Sequence, residues 1–373
     1  VPWESYLQYN DLNMLTEHYD SMRAYRDYLK AYIDPVTEIL TEGNLGDWLG
    51  PEQERNDNSL LWEAYFIYDL ELMHRIASVL DKKEDAAMYS KLCKERKDFF
   101  NRTYIDAETG QTIHSGFGQP ARKGEIIGTQ TSYIAPLAFD ICNPDVKDRV
   151  VKNLIDGIEN ESKQATGISY PPYSLMTGFI GTAWINRVLS DLGYDEKAYR
   201  ILQQTSCPSW VYSVEQGATT SGERLKSYTK ENGFGGNDSM NSFNHYSFGA
   251  VGSWMYNYSL GIERDEKHPG FKQFILKPEP DKSGQMTYAQ GHYDSMYGRI
   301  ESSWEMKDNY CDYRFVVPAN TTAVLYLPAG SAENIMESNK AFKPSDSIEL
   351  VGEEDGKIVL RLQSGDYCFR VNN

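Results

Sequence analysis

The sequence predicts a mainly α-helical protein in which a ring of antiparallel helix pairs is followed by an antiparallel β-sandwich. Over residues 1–262, apolar side chains recur at steps of three and four, the spacing of amphipathic helices. From Phe271 onward the apolar period is two, and short runs are separated by Gly, Pro, Asn and Asp. A length of 373 residues also favours two domains over one core. We therefore expect domains at residues 1–262 and 263–373.

The helical part divides into about nine helices in antiparallel pairs. The clearest helix begins near Leu61, and Asp57 or Asn58 is expected to cap it. Short links alternate with long ones that are rich in Gly, Pro and aromatic residues. Helix pairs in a ring would place the tight turns at one end and the long loops at the other. A closed double ring needs more helices than this part supplies, so we expect a barrel that lacks its first helices. The expected helices cover residues 13–33, 61–79, 84–102, 129–142, 146–159, 178–192, 195–205 and 242–260.

The second part contains about eight short strands between residues 271 and 373. It carries no cluster of catalytic residue types, so we expect a structural or accessory role. The clearest alternating runs are residues 299–304, 313–317, 321–327, 357–362 and 367–371.

Composition excludes several classes of partner. The 37 basic and 54 acidic residues leave a net charge of −17, opposite in sign to a typical binder of nucleic acid or anionic membrane. No run of about 18 apolar residues predicts a membrane-spanning helix. The five cysteines are scattered, and no Cys-x-x-C pair or spaced Asp/Asn loop predicts zinc or calcium, so no metal or cofactor is expected. Cys311 and Cys368 could form a disulfide.

One stretch, residues 217–245, combines several features of a ligand site. Glu223 follows a run of small residues that leaves room for a ligand. A glycine-rich loop at residues 233–239 separates it from His245, 22 positions later, at the start of an apolar helix. Functional side chains often lie on such loops. The alternative is a solvated surface carboxylate and a histidine that caps a helix, and the spacing alone leaves both open.

The aromatic content indicates a ligand class. The 27 tyrosines and 7 tryptophans offer flat apolar faces with polar tips, which match the C–H faces and hydroxyl groups of sugars. Asp47 beside Trp48 could bind hydroxyls while the indole packs on a sugar ring, and Trp210 lies in a similar loop. The alternatives are a helical core that uses many aromatic residues and, for Gly-Asp-Trp, a plain turn.

Taken together and in this order, these segments resemble the bacterial α-L-rhamnosidase family of glycoside hydrolases. The resemblance covers essentially the whole chain and rests on the ordered set of motifs. The segments that carry it are Pro2-Trp3, residues 22–29, residues 46–51, Asp85-Ala86, residues 177–182, residues 208–210, residues 217–220, Glu223-Arg224, Asn244-His245, residues 249–252, residues 269–271, residues 297–299 and residues 317–321.

The resemblance implies an (α/α)6 barrel that cleaves terminal α-L-rhamnose from a glycoside or polysaccharide with inversion. Inversion needs a protonated and an ionised carboxyl group about 6.5–9.5 Å apart. Glu223 matches the general base. Because such enzymes tend to work outside the cytoplasm, we expect a periplasmic or secreted location. The positions expected to bind substrate are Asp47, Trp48, Trp210, Arg224 and His245.

Two departures from the family pattern qualify this expectation. Gly222 stands where the family usually has a tryptophan before the base. The family's general acid lies upstream of Pro2-Trp3, in a segment that this sequence does not contain. We expect either a longer parent or an incomplete barrel, and the start shows no signal peptide. Glu52, Glu54 or Asp57 could act as the acid, although acidic residues at a helix start are the commoner explanation.

Two other functions remain open at this point. The chain could be a non-catalytic carbohydrate-binding fragment, as the missing acid segment would suggest. It could also be an α/α-barrel hydrolase of another sugar class, such as a trehalase-like or glucoamylase-like enzyme, because these share the pattern of helix pairs.

Overall fold

A computed structural model describes residues 1–43, 46–163, 167–235 and 241–372. The end of the predicted glycine-rich loop, residues 236–239, lies outside these ranges. The chain forms two compact units, one of residues 18–251 and one of residues 1–17 with 252–373. The division into domains at residues 262 and 263 stays a prediction.

Helices dominate the first two thirds of the chain, as the three-to-four spacing of apolar residues predicts. Most predicted helices are present with ends shifted by a few residues. Antiparallel neighbours such as α3 and α4 follow each other through a short turn. The α-helices of the described ranges are α1 (Pro2–Tyr9), α2 (Leu12–Ala31), α3 (Asn58–Val79), α4 (Lys83–Tyr104), α5 (Gln130–Ala138), α6 (Pro144–Glu159), α7 (Phe179–Thr182), α8 (Ile185–Asp191), α9 (Asp195–Leu202), α10 (Trp210–Glu215), α11 (Tyr246–Gly249) and α12 (Val251–Trp254).

The start of α3 confirms the predicted cap. Asp57 is the N-cap residue, and its Oδ1 accepts hydrogen bonds from the Ser59 amide (2.9 Å) and hydroxyl (2.7 Å). Its Oδ2 accepts from the Ser115 amide (2.8 Å) and hydroxyl (2.7 Å). A capping side chain satisfies amide groups that the first helical turn leaves without partners. Asp57 therefore also ties the loop before α3 to the loop around residue 115.

Two predicted helices are wrong in their extent. The segment 178–192 is split into α7 and α8 at Ala183 and Trp184, where the Trp184 amide donates to the Gly181 carbonyl oxygen three residues earlier (3.1 Å) instead of continuing the α-helical pattern. The helix predicted for 242–260 starts only at Tyr246. Residues 242–245 instead pair with residues 221–223 through backbone hydrogen bonds, which compete with helix formation.

The unit formed by residues 1–17 and 252–373 contains two sheets, in agreement with the predicted β-sandwich. One sheet has six strands and the other has five, and neighbouring strands are antiparallel except for one parallel pair. Buried rings, Trp304 on one strand and Phe315 on the next, alternate with less buried residues along these two strands. The strands are β3 (Ile262–Arg264), β4 (Gln273–Leu276), β5 (Tyr288–Ser295), β6 (Gly298–Met306), β7 (Tyr310–Val317), β8 (Thr322–Leu327), β9 (Ile335–Glu337), β10 (Lys340–Ala341), β11 (Ile348–Glu354), β12 (Lys357–Leu362) and β13 (Gly365–Asn372). The strand orders are β10-β9-β13-β7-β6-β5 and β11-β12-β8-β4-β3, and the parallel pair is β4 and β8. In the helical unit, β1 (Ser162–Lys163) and β2 (Ser169–Tyr170) form a separate two-stranded sheet.

The possible disulfide between Cys311 and Cys368 is absent, and both thiols are free. The two residues lie on adjacent strands, where Cys311 pairs with Val371 and Cys368 with Arg314. Cys311 is buried and Cys368 is exposed, so their side chains lie on opposite faces of one sheet. Because successive side chains of a strand alternate between faces, this register keeps the two sulfur atoms apart.

Candidate functional site

Asp47 is buried and bonded to protein groups through both carboxylate oxygens. Its Oδ2 accepts hydrogen bonds from the Thr131 hydroxyl (2.5 Å) and the Gly178 amide (2.7 Å), and its Oδ1 from the Gly181 amide (3.0 Å). Burial raises the pKa of Asp47, while these donors favour its ionised form. The observed contacts therefore anchor the turn at residues 178–181, and direct binding of substrate by Asp47 stays a prediction.

The turn at Gly178 lies directly on the backbone of the Asp47 loop. The Phe179 amide donates to the Trp48 carbonyl oxygen at 3.0 Å. A Cβ at position 178 would stand 2.3 Å from the Asp47 carbonyl oxygen and 2.4 Å from that of Trp48. Only glycine permits such a close approach. The loop that carries the exposed Trp48 ring is thus fixed against the residue that precedes Phe179.

Phe179 contacts His245 through their rings, whose centroids are 4.6 Å apart with planes inclined by 31°. The same phenyl ring packs edge-on against Phe248 at 5.3 Å. The Nδ1 atom of His245 is buried and has no hydrogen-bond partner within the described part of the chain. This nitrogen keeps an unused hydrogen-bonding capacity, but its burial separates it from solvent.

Glu223 and His245 are brought together by backbone pairing of the two segments that carry them. The His245 amide donates to the Ser221 carbonyl (2.8 Å), and the Glu223 amide donates to that of Ser242 (2.7 Å). The Ser242 amide returns a hydrogen bond to Glu223 Oε2 at 3.1 Å. The glutamate is half-buried, so one oxygen is oriented by the backbone while the side chain keeps access to solvent.

Trp210 braces the helix that follows His245. Its indole Nε1 donates to the Phe248 carbonyl oxygen at 2.7 Å. Ser209 caps α10, and its hydroxyl accepts from the Tyr212 amide at 3.1 Å. The indole ring is half-buried and its only hydrogen-bond donor is committed to the protein. A stacking contact between this indole and a sugar stays a prediction.

Arg224 lines a cavity of about 320 Å³ beside Glu223. Its backbone amide donates to the Ser227 hydroxyl at 3.2 Å. The guanidinium Nε is buried, and none of the described residues accepts a hydrogen bond from it. The cavity lies against the run of small residues that the sequence singled out. Its walls are Ser213, Gly217, Ala218, Thr219, Thr220, Gly222, Arg224, Leu225, Ser227, Tyr228 and Phe243.

The alternative acids near α3 have structural contacts. Glu52 is buried and accepts from Arg55 (2.7 Å) and from the Ser162 hydroxyl (3.2 Å). Asp57 is the N-cap described above. Glu54 is exposed and lies beside Gln53. Their arrangement is that of an acidic helix start.

Three residues of this region were not predicted from the sequence as components of the site. Thr131, Gly178 and Phe179 connect the Asp47 loop to His245. Gly178 and Phe179 belong to a segment already noted for its composition, so their involvement was visible as a motif. Thr131 lies inside a helix, where no sequence signal distinguishes it.

Across residues 1–43, 46–163, 167–235 and 241–372, no group of three or more His, Cys, Asp or Glu side chains is arranged to hold a metal ion. In the same ranges, no helix has both the length and the apolar character required to span a bilayer.

Comparison with known proteins gives consistent matches over the whole chain. The family profile described as the bacterial alpha-L-rhamnosidase 6 hairpin glycosidase domain matches residues 1–259. The profile of the bacterial alpha-L-rhamnosidase C-terminal domain matches residues 261–342. An alpha-L-rhamnosidase of Formosa agariphila is 31% identical over 99% of this chain and 37% of its own length. One of Streptomyces avermitilis is 30% identical over 100% of this chain and 32% of its own length.

Solved structures agree with these matches. The crystal structure of Streptomyces avermitilis alpha-L-rhamnosidase complexed with L-rhamnose superposes with a TM-score of 0.82 at 29% identity, over 100% of this chain and 32% of that chain. The alpha-L-rhamnosidase from Dictyoglumus thermophilum gives a TM-score of 0.82 at 29% identity, over 100% of this chain and 39% of that chain. This chain thus spans about a third of the length of the relatives it matches.

Proposed function

The chain belongs to the bacterial α-L-rhamnosidase family, and we propose that its site removes terminal α-L-rhamnose from glycosides or polysaccharides with inversion. The observation that carries the proposal is the pairing of the Glu223 and His245 segments beside an open cavity. The paired segments carry a half-buried carboxylate and an imidazole, and neighbouring residues of both segments line the cavity. Because this chain covers only part of its relatives, activity is proposed for the protein that contains residues 1–373.

Glu223 is assigned to the activation of water. An inverting hydrolase needs an ionised carboxylate that takes a proton from the attacking water. The Ser242 amide donates to Oε2 at 3.1 Å, which orients the carboxylate. Half-burial leaves the group reachable by water. The backbone pairing fixes the loop that carries Glu223. A fixed position is what a base needs in order to hold a water molecule at one face of the sugar.

Inversion also requires a protonated carboxyl group that assists the leaving oxygen. Glu52 and Asp57 are committed to protein donors, and Glu54 lies exposed at the helix start. None of these three residues is therefore assigned the role of the acid.

The remaining predicted residues divide into two roles. Trp48 is 42% exposed, so its indole offers a flat face to a sugar ring, and His245 carries an imidazole on the segment paired with that of Glu223. Arg224 faces the cavity. Asp47 and Trp210 hold the loops in place through the contacts given above. We assign the first three to substrate and the last two to positioning.

The test is the release of rhamnose from an aryl α-L-rhamnoside. It is measured for residues 1–373 and for the longest natural polypeptide that contains them. Glu223→Gln is expected to lower turnover by about 10²-fold or more, as for the loss of a general base. The matched control is Glu215→Gln, which neutralises an exposed carboxylate on α10 and should keep parental turnover.

Other outcomes would replace the proposal. Near-parental turnover of Glu223→Gln would show that Glu223 is not the base. A preference for glucosides in a substrate panel would favour another class of α/α-barrel hydrolase. Binding of rhamnose without any turnover would favour a carbohydrate-binding role.

A further inference from the structure

The six-stranded sheet carries an open cavity on the face that its less buried side chains form. The cavity volume is about 560 Å³. It falls within the range of about 300–1,000 Å³ that is typical of small-ligand sites. The walls come from β5, β6, β7, β13 and the turn after β9, all in the unit of residues 1–17 and 252–373. The cavity is therefore separate from the helical unit that contains Glu223 and His245.

Two rows of side chains cross this face, each with one residue from β5, β6, β7 and β13. Because residues paired across neighbouring strands lie side by side on one face, each row is continuous. At the usual distance between strands, a row of four residues spans about 14 Å. The cavity thus offers an extended floor to a ligand. The first row is Gln290, Ser303, Arg314 and Cys368, and the second is Tyr288, Glu305, Asp312 and Arg370.

The charged side chains that line the cavity within residues 241–372 all have partners of opposite sign. Asp312 accepts two hydrogen bonds from the Arg370 guanidinium, at 2.7 and 3.0 Å. The other pairings are Arg314 with Glu301 (2.6 Å) and Asp366 (2.8 Å), and Glu305 with Lys307. Two carboxylates and two guanidinium groups also cancel within the lining itself. A surface of this kind favours an uncharged ligand over an anion or a cation.

Four neutral polar side chains of the lining make no hydrogen bond to any residue that the structure describes. They are Tyr288, Gln290, Ser303 and Asn339. Their hydroxyl and amide groups can donate and accept hydrogen bonds, as sugar hydroxyls do. The Tyr288 ring is 62% exposed and offers a flat apolar face beside them. Solvation alone explains a polar sheet face, but unpaired neutral groups and an exposed ring around a concave surface match an uncharged sugar.

We propose that this cavity is a non-catalytic binding site for an uncharged sugar unit of a glycan. The Tyr288 ring packs on the face of the sugar, and Gln290, Ser303 and Asn339 bond to its hydroxyls. A second site of this kind holds a polymeric substrate to the protein and raises the effective concentration of its cleavable ends. The inference goes beyond the proposed function and does not depend on the role of Glu223.

The first experiment is calorimetric titration of the same polypeptides as above with neutral and acidic probes. The neutral probes are methyl α-L-rhamnoside, cellotetraose, mannotetraose and xylotetraose, and the acidic probe is tetragalacturonate. We expect at least one neutral probe to bind more tightly than tetragalacturonate. Because the charges of the lining are paired with one another, added salt should change this affinity little.

Variants then locate the binding. Tyr288→Ala should lower the affinity for the bound neutral probe about fivefold or more, through loss of the aromatic contact. Gln290→Ala should lower it about fivefold, through loss of a hydrogen bond. The matched control is Tyr297→Ala, which removes another exposed tyrosine of the same unit, in the turn between β5 and β6. This control should keep the parental affinity, since Tyr297 does not line the cavity.

The outcomes separate this inference from the proposed function. Binding of no neutral probe, tighter binding of tetragalacturonate, or an equal loss in Tyr288→Ala and Tyr297→Ala overturns the sugar site. So does parental affinity in Tyr288→Ala. Hydrolysis of an aryl α-L-rhamnoside should stay at its parental rate in Tyr288→Ala, and a fall in kcat without weaker binding would overturn the non-catalytic role. Cleavage of no rhamnoside contradicts only the proposed function, because the titrations need no turnover.

Discussion

The phenyl ring of Phe179 lies 4.6 Å from the imidazole ring of His245, centroid to centroid. Phe179 follows Gly178, whose amide is held by Asp47, and His245 is paired through its amide with Ser221. This ring contact joins the loop that carries Trp48 to the segments that carry Glu223. The proposed sugar-binding and water-activating residues therefore depend on one another for their positions.

Replacing Phe179 by Leu should lower turnover of an aryl α-L-rhamnoside by about tenfold, because small displacements of catalytic groups reduce rates strongly. The matched control is Phe99→Leu, which removes a buried ring of α4 in the same unit. Both variants should unfold at lower temperature, but only Phe179→Leu should lower kcat. A parallel loss of kcat in both would show that the effect is one of stability.

Gly178→Ala should destabilise the protein by about 1–3 kcal/mol through overpacking. Its Cβ would lie 2.3 Å from the carbonyl oxygen of Asp47, and neither backbone can move without breaking the hydrogen bonds around it. Gly157→Ala in α6 is the control, since a Cβ there would meet no atom within 4 Å apart from its chain neighbours and the backbone of its own helix. That control should be stabilised by about 0.5–1 kcal/mol. Urea unfolding measures both, and equal effects would contradict the close approach.

Trp210→Phe should cost about 1 kcal/mol of unfolding free energy, because the Phe248 carbonyl loses its donor at 2.7 Å. Trp48→Phe, at an exposed indole, should change stability by less than about 0.5 kcal/mol and instead raise KM. Denaturation and steady-state kinetics on both variants distinguish a bracing indole from a substrate-contacting one. The reverse pattern would exchange the two roles.

We expect Asp69, on α3, to make the stability of the fold depend on pH. Burial raises its pKa from the ordinary value of 3.8 to about 6. Between these values the folded protein binds more protons than the unfolded chain, so the unfolding free energy falls as the pH rises across this window. Asn is neutral at every pH and avoids this loss. Asp69→Asn should therefore be more stable than the parent by about 1–3 kcal/mol at pH 7.5 and show little advantage at pH 4.

Urea unfolding at the two pH values tests this prediction. The exposed substitution Asp145→Asn, in the first turn of α6, is the control and should show no gain at pH 7.5. A gain for Asp69→Asn that is equal at both pH values would refute the assignment to a raised pKa.

Much of the fold followed from local patterns. The three-to-four spacing predicted most of the helices, and Asp57 caps α3 as its position before an apolar run indicated. The period-two runs predicted the sheets. The helix expected from residue 242 was wrong at its start, because the amides and carbonyls of that segment pair with residues 221–223 instead. Apolar periodicity carries no information about such a competing partner.

For the candidate site, the sequence by itself predicted which residues could form it: a glutamate after small residues, a histidine 22 positions later, and loops that contain Asp-Trp and Trp. Only the tertiary structure decided what each one contacts. Asp47 is buried because groups 84 to 134 positions away in the sequence supply its hydrogen-bond donors. Trp48, the next residue in the chain, is instead 42% exposed. Burial and hydrogen-bond partners arise from contacts between distant segments, and these contacts set the role of each charged group.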